Sequence, residues 1–395
     1  MSAATAPAVP TAHDPALTTP TPTEVLGNRI RRLGDEAAQA GADVVLIGPG
    51  ADLRYFVGHS VSSHERFTCL AVTPGGAATL LVPTLERPGW NGTSVESLGM
   101  DIATWNDGQD PYAALAAMLP DGARTLAVDY YLPAVHALGM QSAVTGSALA
   151  LAGGAIGELR MRKDPAEIAA LAAAGAAIDR VQRRIGDWLR PGRTEREVAA
   201  DIAAAIVEEG HAEADFVIVG SGPNGASPHH DASDRRVNVG DMVVVDIGGP
   251  TPAGYFSDCT RSYLVGPSSD PDAAAVYDIV RRAQEAGAAA ATAGTSCAAV
   301  DEASRSVIVA AGYGEYFVTR TGHGIGMEVH EHPYLVSGNT RPLEPGMAFS
   351  VEPGIYLPGR FGVRIEDIVV VGDDGAPQRL NEAPTELITL DGSAS

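Results

Sequence analysis

Two aspartates in "MVVVDIGGPTPAGYFSDCTR", residues 242–261, are spaced as though they close a β-hairpin. Asp246 ends an apolar run, and Asp258 lies equidistant from Pro252 on the other side of a Pro/Gly-rich turn. Directly opposed residues of an antiparallel pair share one face of the sheet, with Cβ atoms about 5 Å apart. A symmetric register therefore predicts two facing carboxylates, which repel each other unless a cation lies between them.

The same arrangement recurs in "SVEPGIYLPGRFGVRIEDIVVV", residues 350–371. Glu352 and Glu366 lie equidistant from Gly359, again with a Pro/Gly-rich connection. Because side chains alternate along a strand, Asp367 is expected to face away from the side that carries Glu366. The sequence thus predicts a second pair of apposed carboxylates.

A histidine completes a set of side chains that suits metal ions. In "TRTGHGIGMEVHEHP", residues 319–333, His323 lies between glycines, where another segment of backbone can approach closely. Four carboxylates and one imidazole form a hard, oxygen-rich set suited to divalent ions such as Mn²⁺, Co²⁺ or Fe²⁺. Two such ions roughly 3.5–4 Å apart can bridge a hydroxide and clamp a substrate oxygen. One acid at a strand end is more often a turn residue, but two symmetric hairpins plus this histidine favour a dinuclear centre.

Other histidines allow two interpretations on spacing alone. His229, in "NGASPHHDASD", is as compatible with capping a turn as with acting on a substrate. His330 and His332, in "VHEHP", are equally compatible with a pair of satisfied strand residues.

The elements that must position these residues suggest two domains after an N-terminal tail. Residues 1–22 are rich in Ala, Pro and Thr, lack the pattern of a signal peptide, and are expected to be a disordered tail. Alternating helix and strand patterns over residues 23–152 predict an α/β domain. Residues 156–390 predict an α+β domain in which two helices precede strand-rich segments twice, and Thr194 with Glu197 resembles a capping box.

Composition narrows the classes of partner. The formal net charge of −22 argues against nucleic acid and anionic membranes as partners. No stretch approaches the roughly 18 apolar residues of a membrane span. The three cysteines, Cys69, Cys259 and Cys297, are scattered without CxxC spacing, which fits a reducing cytoplasm better than a disulfide framework.

Together these motifs resemble the pita-bread metallopeptidases, the family that includes methionine aminopeptidase, aminopeptidase P and Xaa-Pro dipeptidase (prolidase). The segments that carry the resemblance are "VVVDIGG…YFSDCTR", "TGHGIGMEVHEHP", "EPGMAFSVEPGIY" and "FGVRIEDIVVV". The N-terminal "ADVVLIGPGADLRYFVGH" and "LLVPTLE" resemble the creatinase-type domain of the proline-specific branch. The resemblance implies a creatinase-like α/β domain followed by an α+β pita-bread catalytic domain.

The resemblance also implies a role for each matching residue. Asp246 would bind one metal ion, His323 and Glu352 the other, and Asp258 and Glu366 would bridge both. Glu352 would also handle the proton of the attacking water, while His229 and His330 would act on the substrate near the scissile bond. Further residues would contact the substrate or orient the metal ligands: Tyr255, His332 and Arg364.

The implied function is that of a cytoplasmic Xaa-Pro dipeptidase that cleaves the bond before proline, with an oligopeptide-cleaving aminopeptidase P as the alternative. The implied cofactors are two divalent ions per chain, Mn²⁺ foremost, with Co²⁺, Fe²⁺ or Zn²⁺ as alternatives. The implied partners are proline-containing di- or oligopeptides, and the implied assembly is a homodimer.

One position departs from the pattern of the family. Several prolidases carry an arginine where this chain has Tyr334, and that arginine can hold the substrate carboxylate. The candidates for this task in the present sequence are Arg54, Arg66 and Arg341.

Overall fold

A computed structural model describes residues 14–61, 65–268 and 270–393, and its chain divides into two units. The N-terminal unit spans Pro20–Arg160, and the catalytic unit comprises Met161–Ser395 together with the segment that ends at Thr19. This division lies a few residues after the predicted boundary between residues 152 and 156. Within the N-terminal unit, Arg160 Nη1 forms a buried ion pair with Asp52 Oδ1 at 2.5 Å.

Six helices and six strands form the N-terminal unit. The helices are α1 (Thr23–Gln39), α2 (Ala51–Val57), α3 (Ser94–Ser97), α4 (Pro111–Ala116), α5 (Ala134–Ala143) and α6 (Gly153–Met161). The strands are β1 (Val44–Ile47), β2 (Cys69–Val72), β3 (Ala78–Pro83), β4 (Asp101–Trp105), β5 (Thr125–Val128) and β6 (Ala148–Leu151). They form one mixed sheet in the order β4-β3-β2-β1-β5-β6, which confirms the α/β prediction. The hairpin expected around Gly75 and Gly76 joins β2 to β3.

The catalytic unit contains four long helices, each pair followed by strands as the sequence predicts. These helices are α7 (Pro165–Arg183), α8 (Glu195–Glu208), α9 (Ala273–Ala290) and α10 (Cys297–Ala310). The strands between and after them are β7 (Phe216–Ser221), β8 (Met242–Pro250), β9 (Phe256–Val265), β10 (Gly322–Gly324), β11 (Glu331–Leu335), β12 (Ala348–Val351), β13 (Gly354–Leu357), β14 (Phe361–Arg364), β15 (Asp367–Val371), β16 (Pro377–Arg379) and β17 (Ile388–Leu390).

Three sheets hold the catalytic residues. A four-stranded sheet has the order β17-β9-β8-β7, a five-stranded sheet has the order β11-β10-β12-β15-β16, and β13 pairs with β14. Apolar side chains of α7 and α8, such as Ile178 and Ile202, pack on the four-stranded sheet against Val243 and Val245. Removing such side chains from water stabilises the fold by about 1.5–3 kcal/mol each. The helices therefore cover one face of this sheet, and the acidic side chains of β8 and β9 alternate to the other.

Helices α7 and α8 of the catalytic unit both begin with a capping box. Asp164 and Glu167 exchange side-chain-to-backbone hydrogen bonds at the start of α7, and Pro165 occupies its first turn. Thr194 and Glu197 do the same at α8, which confirms the capping box predicted there.

Residues 1–22 were predicted to form a disordered tail, and this is wrong for the segment around Leu17. Residues Pro15–Leu17 form a short 3-10 helix, and Leu17 is buried against Ala173 and Ala177 of α7. The Leu17 carbonyl accepts a hydrogen bond from Ala253 N at 2.8 Å. Residues 1–13 lie outside the described part of the chain. Among the residues that are described, no helix combines the length and apolar character that a membrane crossing requires.

Candidate metal centre

The hairpin β8–β9 carries Asp246 and Asp258, but its register differs from the predicted one. Asp246 pairs with Thr260, so the hairpin is centred on Ala253 rather than on Pro252. A shift of the centre by one residue moves every partner by two positions, and the side-chain period of a strand is also two. The two aspartates therefore stay on one face as diagonal neighbours, and the prediction that they oppose each other directly is wrong.

The second pair of acids has the predicted register. The ladder of β12 with β15 and the ladder of β13 with β14 are both centred on Gly359, and Glu352 and Glu366 lie between them. Their backbone N–H groups bond to other segments: Glu352 N donates to Thr321 O at 2.7 Å, and Glu366 N donates to Thr260 O at 3.1 Å. These bonds tie the second pair of acids to the strand that carries Asp258 and to the segment before His323.

His323 lies on β10, between β11 and β12, where its two glycine neighbours allow close packing. A Cβ atom on Gly322 would collide with the Ser350 carbonyl, and one on Gly324 would collide with the His332 carbonyl. His323 Nδ1 lies 3.2 Å from its neighbour's carbonyl, Gly324 O. This leaves Nε2 directed at the acids, 3.2 Å from Glu352 Oε1 and 3.6 Å from Asp258 Oδ2.

The five predicted metal ligands line one cavity of about 650 Å³. We call them the carboxylate cluster: Asp246, Asp258, Glu352 and Glu366, with His323. In three of them, Asp258, His323 and Glu366, the ligand atoms all lie within 4.8 Å of one another and the side chains are buried.

Arg364 pairs with Asp246, but this one cation does not balance the four acids of the cluster. Burial, followed by the charges of Glu366 and Asp246, raises the pKa of Asp258 well above its ordinary value. Burial, followed by the charge of Glu352, does the same to the pKa of Glu366. Burial acts to raise the pKa of Glu352, but the hydrogen bond and charge of His323, with the charges of Arg364 and Arg320, together outweigh it, so that this pKa is lowered. Buried acids that repel one another in this way call for a cation between them.

Unused oxygen atoms show where cations fit. Within the described part of the chain, Asp246 Oδ1 and Glu366 Oε1 are buried and have no hydrogen-bond partner. A buried polar atom without a partner costs roughly 1–3 kcal/mol. The carboxylate cluster therefore has the donor chemistry and the free atoms that divalent metal ions require.

Arg364 orients two of these acids without occupying their free oxygens. Its Nη2 lies 2.6 Å from Asp246 Oδ2, and its Nε donates to Thr260 Oγ1 at 3.1 Å. Thr260 Oγ1 in turn donates to Glu366 Oε2 at 2.7 Å, and Arg364 Nη1 donates to the Tyr356 hydroxyl at 2.8 Å. One oxygen of each acid is held in place, which leaves the other directed into the cluster.

Comparisons with known proteins agree with this geometry. Residues 169–373 match the metallopeptidase family M24, and residues 29–162 match the creatinase/prolidase N-terminal domain. The chain belongs to metallopeptidase family M24. Its architecture is thus a creatinase-type α/β domain followed by a pita-bread α+β catalytic domain, as the sequence predicts.

Named relatives cover nearly the whole chain. A "Probable dipeptidase PepE" of Mycobacterium tuberculosis is 48% identical over 367 residues, which is 93% of this chain and 97% of the relative. An "Xaa-Pro dipeptidase" of Lactobacillus helveticus is 35% identical over 84% of this chain and 91% of its own. The crystal structure of dipeptidase PepE from Mycobacterium ulcerans has a TM-score of 0.89 at 48% identity, covering 94% of this chain and all of that one. A prolidase from Thermococcus sibiricus has a TM-score of 0.85 at 37% identity, covering 92% of this chain and 98% of its own.

In this M24 site, both predicted substrate histidines line the cavity with the carboxylate cluster. His229 is exposed on the loop after β7, and His330 is exposed just before β11. The rings of His330 and His323 meet edge to face, with centroids 4.2 Å apart. Burial of part of its ring, together with the charge of His323, lowers the pKa of His330 to about 4. An imidazole with so low a pKa is neutral at pH 7 and can donate a hydrogen bond from one ring nitrogen.

Two further predicted site residues lie outside the cavity lining. The Tyr255 hydroxyl is buried and donates to Glu167 Oε1 of α7 at 3.1 Å. His332 is exposed, and its ring centroid lies 4.8 Å from that of Tyr334. Their predicted roles toward ligands and substrate stay predictions.

Sequence reasoning missed the buried Glu195, which holds the loop that carries His229. Its carboxylate accepts hydrogen bonds from Ser221 and Ser233, each through both the backbone N–H and the hydroxyl, and from Asn224. His230 Nε2 lies 2.7 Å from Glu195 Oε2. The capping box at Thr194 predicts the start of α8, but nothing local signals that the next residue points inward to this loop.

The only lysine of the chain was missed as well. Lys163 Nζ lies 3.3 Å from Glu331 Oε2, and both side chains are buried. Glu331 directly follows His330, and its other oxygen accepts a hydrogen bond from Glu328 N at 3.0 Å. This ion pair holds the backbone on either side of His330.

The arginines that line the cavity are not those predicted to hold the substrate carboxylate. Arg66 pairs with Asp107, and Arg341 pairs with Glu344. Among the described residues, the guanidinium groups that line the cavity are those of Arg364 and Arg320.

Proposed function

We propose that the protein is a metal-dependent Xaa-Pro dipeptidase that hydrolyses the peptide bond before proline. The observation that carries this proposal is the carboxylate cluster, in which four acids face one arginine and two buried oxygens have no partner among the described residues, and which shares its cavity with His229 and His330. The names of relatives at 48% and 35% identity, a dipeptidase and an Xaa-Pro dipeptidase, support the substrate class.

Asp246 would hold one divalent ion, His323 and Glu352 a second, and Asp258 and Glu366 both. When bound, such ions acidify a water molecule and polarise the peptide carbonyl. The oxygen-rich donor set favours Mn²⁺, with Co²⁺, Fe²⁺ and Zn²⁺ as alternatives. The two buried oxygens without partners, Asp246 Oδ1 and Glu366 Oε1, support the presence of ions at both ends of the cluster.

The remaining steps belong to side chains of this chain. Glu352, with its pKa lowered by His323, is ionised at neutral pH and can accept the proton of the attacking water and pass it to the leaving proline nitrogen. His229 and His330, exposed at the cavity, would donate hydrogen bonds to the substrate carbonyl as it becomes an oxyanion. Arg364 keeps Asp246 in place throughout, because its guanidinium bonds to an oxygen that faces away from the cluster's free atom.

The proposal is tested with metal-free enzyme refilled separately with Mn²⁺, Co²⁺ and Zn²⁺. Activity is then measured on Xaa-Pro dipeptides, on Xaa-Pro-Xaa tripeptides and on dipeptides without proline. Metal-dependent cleavage of Xaa-Pro above the other two classes is the expected result. Cleavage that survives complete metal removal, or that ignores proline, would contradict the proposal.

The alternative activity, aminopeptidase P, has weaker support from the comparisons. An X-Pro aminopeptidase from Thermotoga maritima has a TM-score of 0.77 at 30% identity, below the values for the M. ulcerans dipeptidase and the T. sibiricus prolidase. A wild-type preference for tripeptides over dipeptides would favour that activity. A homodimer and a cytoplasmic location belong to the same proposal, and the family resemblance supports them.

A further inference from the structure

Arg320 is a guanidinium in the cavity wall without a carboxylate partner. It lines the cavity together with His330 and Glu352. Among the described residues it makes a single specific contact, in which its guanidinium carbon lies 4.6 Å from the ring centroid of Tyr334. The other guanidinium of the cavity, that of Arg364, is bound to Asp246.

Of the two arginines that line the cavity, Arg320 is the one without an ion-pair partner among the described residues. The chain has 49 acidic residues against 27 basic ones, so that carboxylates are abundant. Arg184 illustrates the usual situation: it also lies over an aromatic ring, 5.1 Å from Trp188, but it pairs with Glu208 and Glu209. Arg320 has the aromatic support and forms no ion pair among the described residues, although its charge acts on Glu352, so its N–H donors are available to a ligand.

The position of Arg320 is fixed relative to the metal centre. It precedes His323 by three residues, and Tyr334 is the residue that pairs with His323 across the β10–β11 ladder. An aromatic face holds a guanidinium plane in one orientation and adds about 0.5–2 kcal/mol of attraction. The cation is therefore presented beside the carboxylate cluster rather than swinging freely in solvent.

We propose that Arg320, held over Tyr334, binds the free α-carboxylate of the proline residue in an Xaa-Pro dipeptide and thereby selects dipeptides over longer chains. This inference rests on the proposed function. In a dipeptide the carboxylate is one residue away from the scissile bond, a span of less than about 4 Å along the chain. Arg320 lines the same cavity as His330 and Glu352, and its charge acts on both of them. In a longer peptide the same position carries a neutral amide, which cannot form a charge-assisted bidentate pair.

The test compares two substrates that differ only in this charge, Ala-Pro and Ala-Pro-amide, in wild-type enzyme and in Arg320→Gln. Wild type is expected to prefer the free acid. In Arg320→Gln, kcat/KM for the free acid should fall roughly 10- to 100-fold, mainly through KM, because a hydrogen bond to a charged group is lost. The value for the amide should fall by a much smaller factor, because only the free acid loses its ion pair. Arg184→Gln is the matched control and should leave both substrates unaffected.

Two more variants keep the test decisive if Arg320→Gln folds poorly. Arg320→Lys retains a charge without the bidentate geometry and should recover part of the preference for the acid. Tyr334→Leu retains the guanidinium but removes its support, and should lower the preference by less than Arg320→Gln. Metal content and thermal unfolding are measured for every variant.

The outcomes separate the two proposals. An active wild type without preference for the free acid, or an Arg320→Gln variant that loses both substrates equally, would overturn the role of Arg320 alone. A wild type that cleaves neither peptide in any metal would overturn the proposed function and this inference with it.

Discussion

Two groups of buried acids in the catalytic unit differ in what balances their charge. In the carboxylate cluster, burial and the charges of neighbouring acids raise the pKa of Asp258 and of Glu366, and Glu366 Oε1 has no hydrogen-bond partner among the described residues. In the neighbouring group, which we call the Arg261 cluster, Asp367 Oδ1 lies 2.6 Å from Arg261 Nη2 and its Oδ2 accepts a hydrogen bond from Gln284 at 3.1 Å.

Glu366 and Asp367 are adjacent in sequence, yet they belong to different groups. Strand alternation turns them to opposite faces, as the sequence predicts. Arg261 also donates to the backbone carbonyls of Glu366 and Ala383, so every part of its guanidinium is used inside the protein. The comparison teaches that burial alone does not mark a metal ligand. In the carboxylate cluster a single arginine, Arg364, faces four acids, and Asp246 and Glu366 each keep an oxygen without a partner among the described residues.

Substitutions in the carboxylate cluster should have the largest effect, because they should remove the metal centre. Asp258→Ala or Glu366→Ala removes an acid placed to contact both ions, so both sites should empty or lose their selectivity. Activity should fall by more than about 10³-fold, as when a central catalytic group is deleted. Metal content per chain and peptidase rate measure the result, and Asp373→Ala, an exposed turn acid, is the control. Two bound ions with near-normal activity in either variant would refute the bridging roles.

Removing a substrate-facing histidine should have the next largest effect. His229→Ala and His330→Ala should each keep both metal ions and lower kcat by about 100-fold, the cost of a lost hydrogen bond to the transition state. Metal analysis combined with kcat and KM distinguishes this role from metal ligation. If either variant loses metal as Asp258→Ala does, its histidine is a ligand instead.

The sequence predicts the positions of those site residues whose neighbours follow from a short, local sequence pattern. The register of Glu352 and Glu366 follows from symmetry about Gly359, and the glycines beside His323 indicate a close backbone approach. The pairing predicted for β8 and β9 was wrong because the turn residues allow a five-residue loop centred on Pro252 or one centred on Ala253. Strand alternation fixes only which face of the sheet carries each side chain, and that face is the same in both cases.

The missed residues depend on contacts that no local pattern encodes. Glu195 meets its partners 26 to 38 residues further along the chain, and Arg320 meets Tyr334 only because β10 and β11 pair. An inward-facing acid on an amphipathic helix looks like any other helical glutamate in sequence. The buried ion pair of Arg160 with Asp52, 108 residues apart in the chain, is another contact of this kind.

Breaking the Arg261 cluster should change stability rather than metal binding. Asp367→Asn leaves the buried Arg261 without its carboxylate partner, and the free energy of unfolding should fall by roughly 3 kcal/mol. Sequence alternation alone suggests a mild effect for this variant, and the buried ion pair corrects that expectation. Denaturant unfolding and metal content are the measurements. Loss of metal with unchanged stability would show that the two groups of acids are not separate.

The smallest effect concerns His230, which the sequence suggests as a neutral position beside His229. The structure corrects this expectation, because His230 is bound to the buried Glu195, whose lowered pKa of about 2 reflects donors from Ser221, Ser233 and His230 that outweigh the effect of burial. His230→Ala removes one donor while the serine and asparagine donors remain, so the free energy of unfolding should fall by only about 1–2 kcal/mol. Ser227→Ala, an exposed position in the same loop, is the matched control and should be neutral.

The kinetic consequence of His230→Ala follows from its neighbour. His229 is carried by the loop that Glu195 holds, so a looser loop should lower kcat modestly, and by much less than His229→Ala does. A loss of activity as large as that of His229→Ala, with metal and stability unchanged, would mean that His230 acts on the substrate itself. In that case the Glu195 carboxylate would be orienting a catalytic histidine, and the roles of the two adjacent histidines would have to be exchanged.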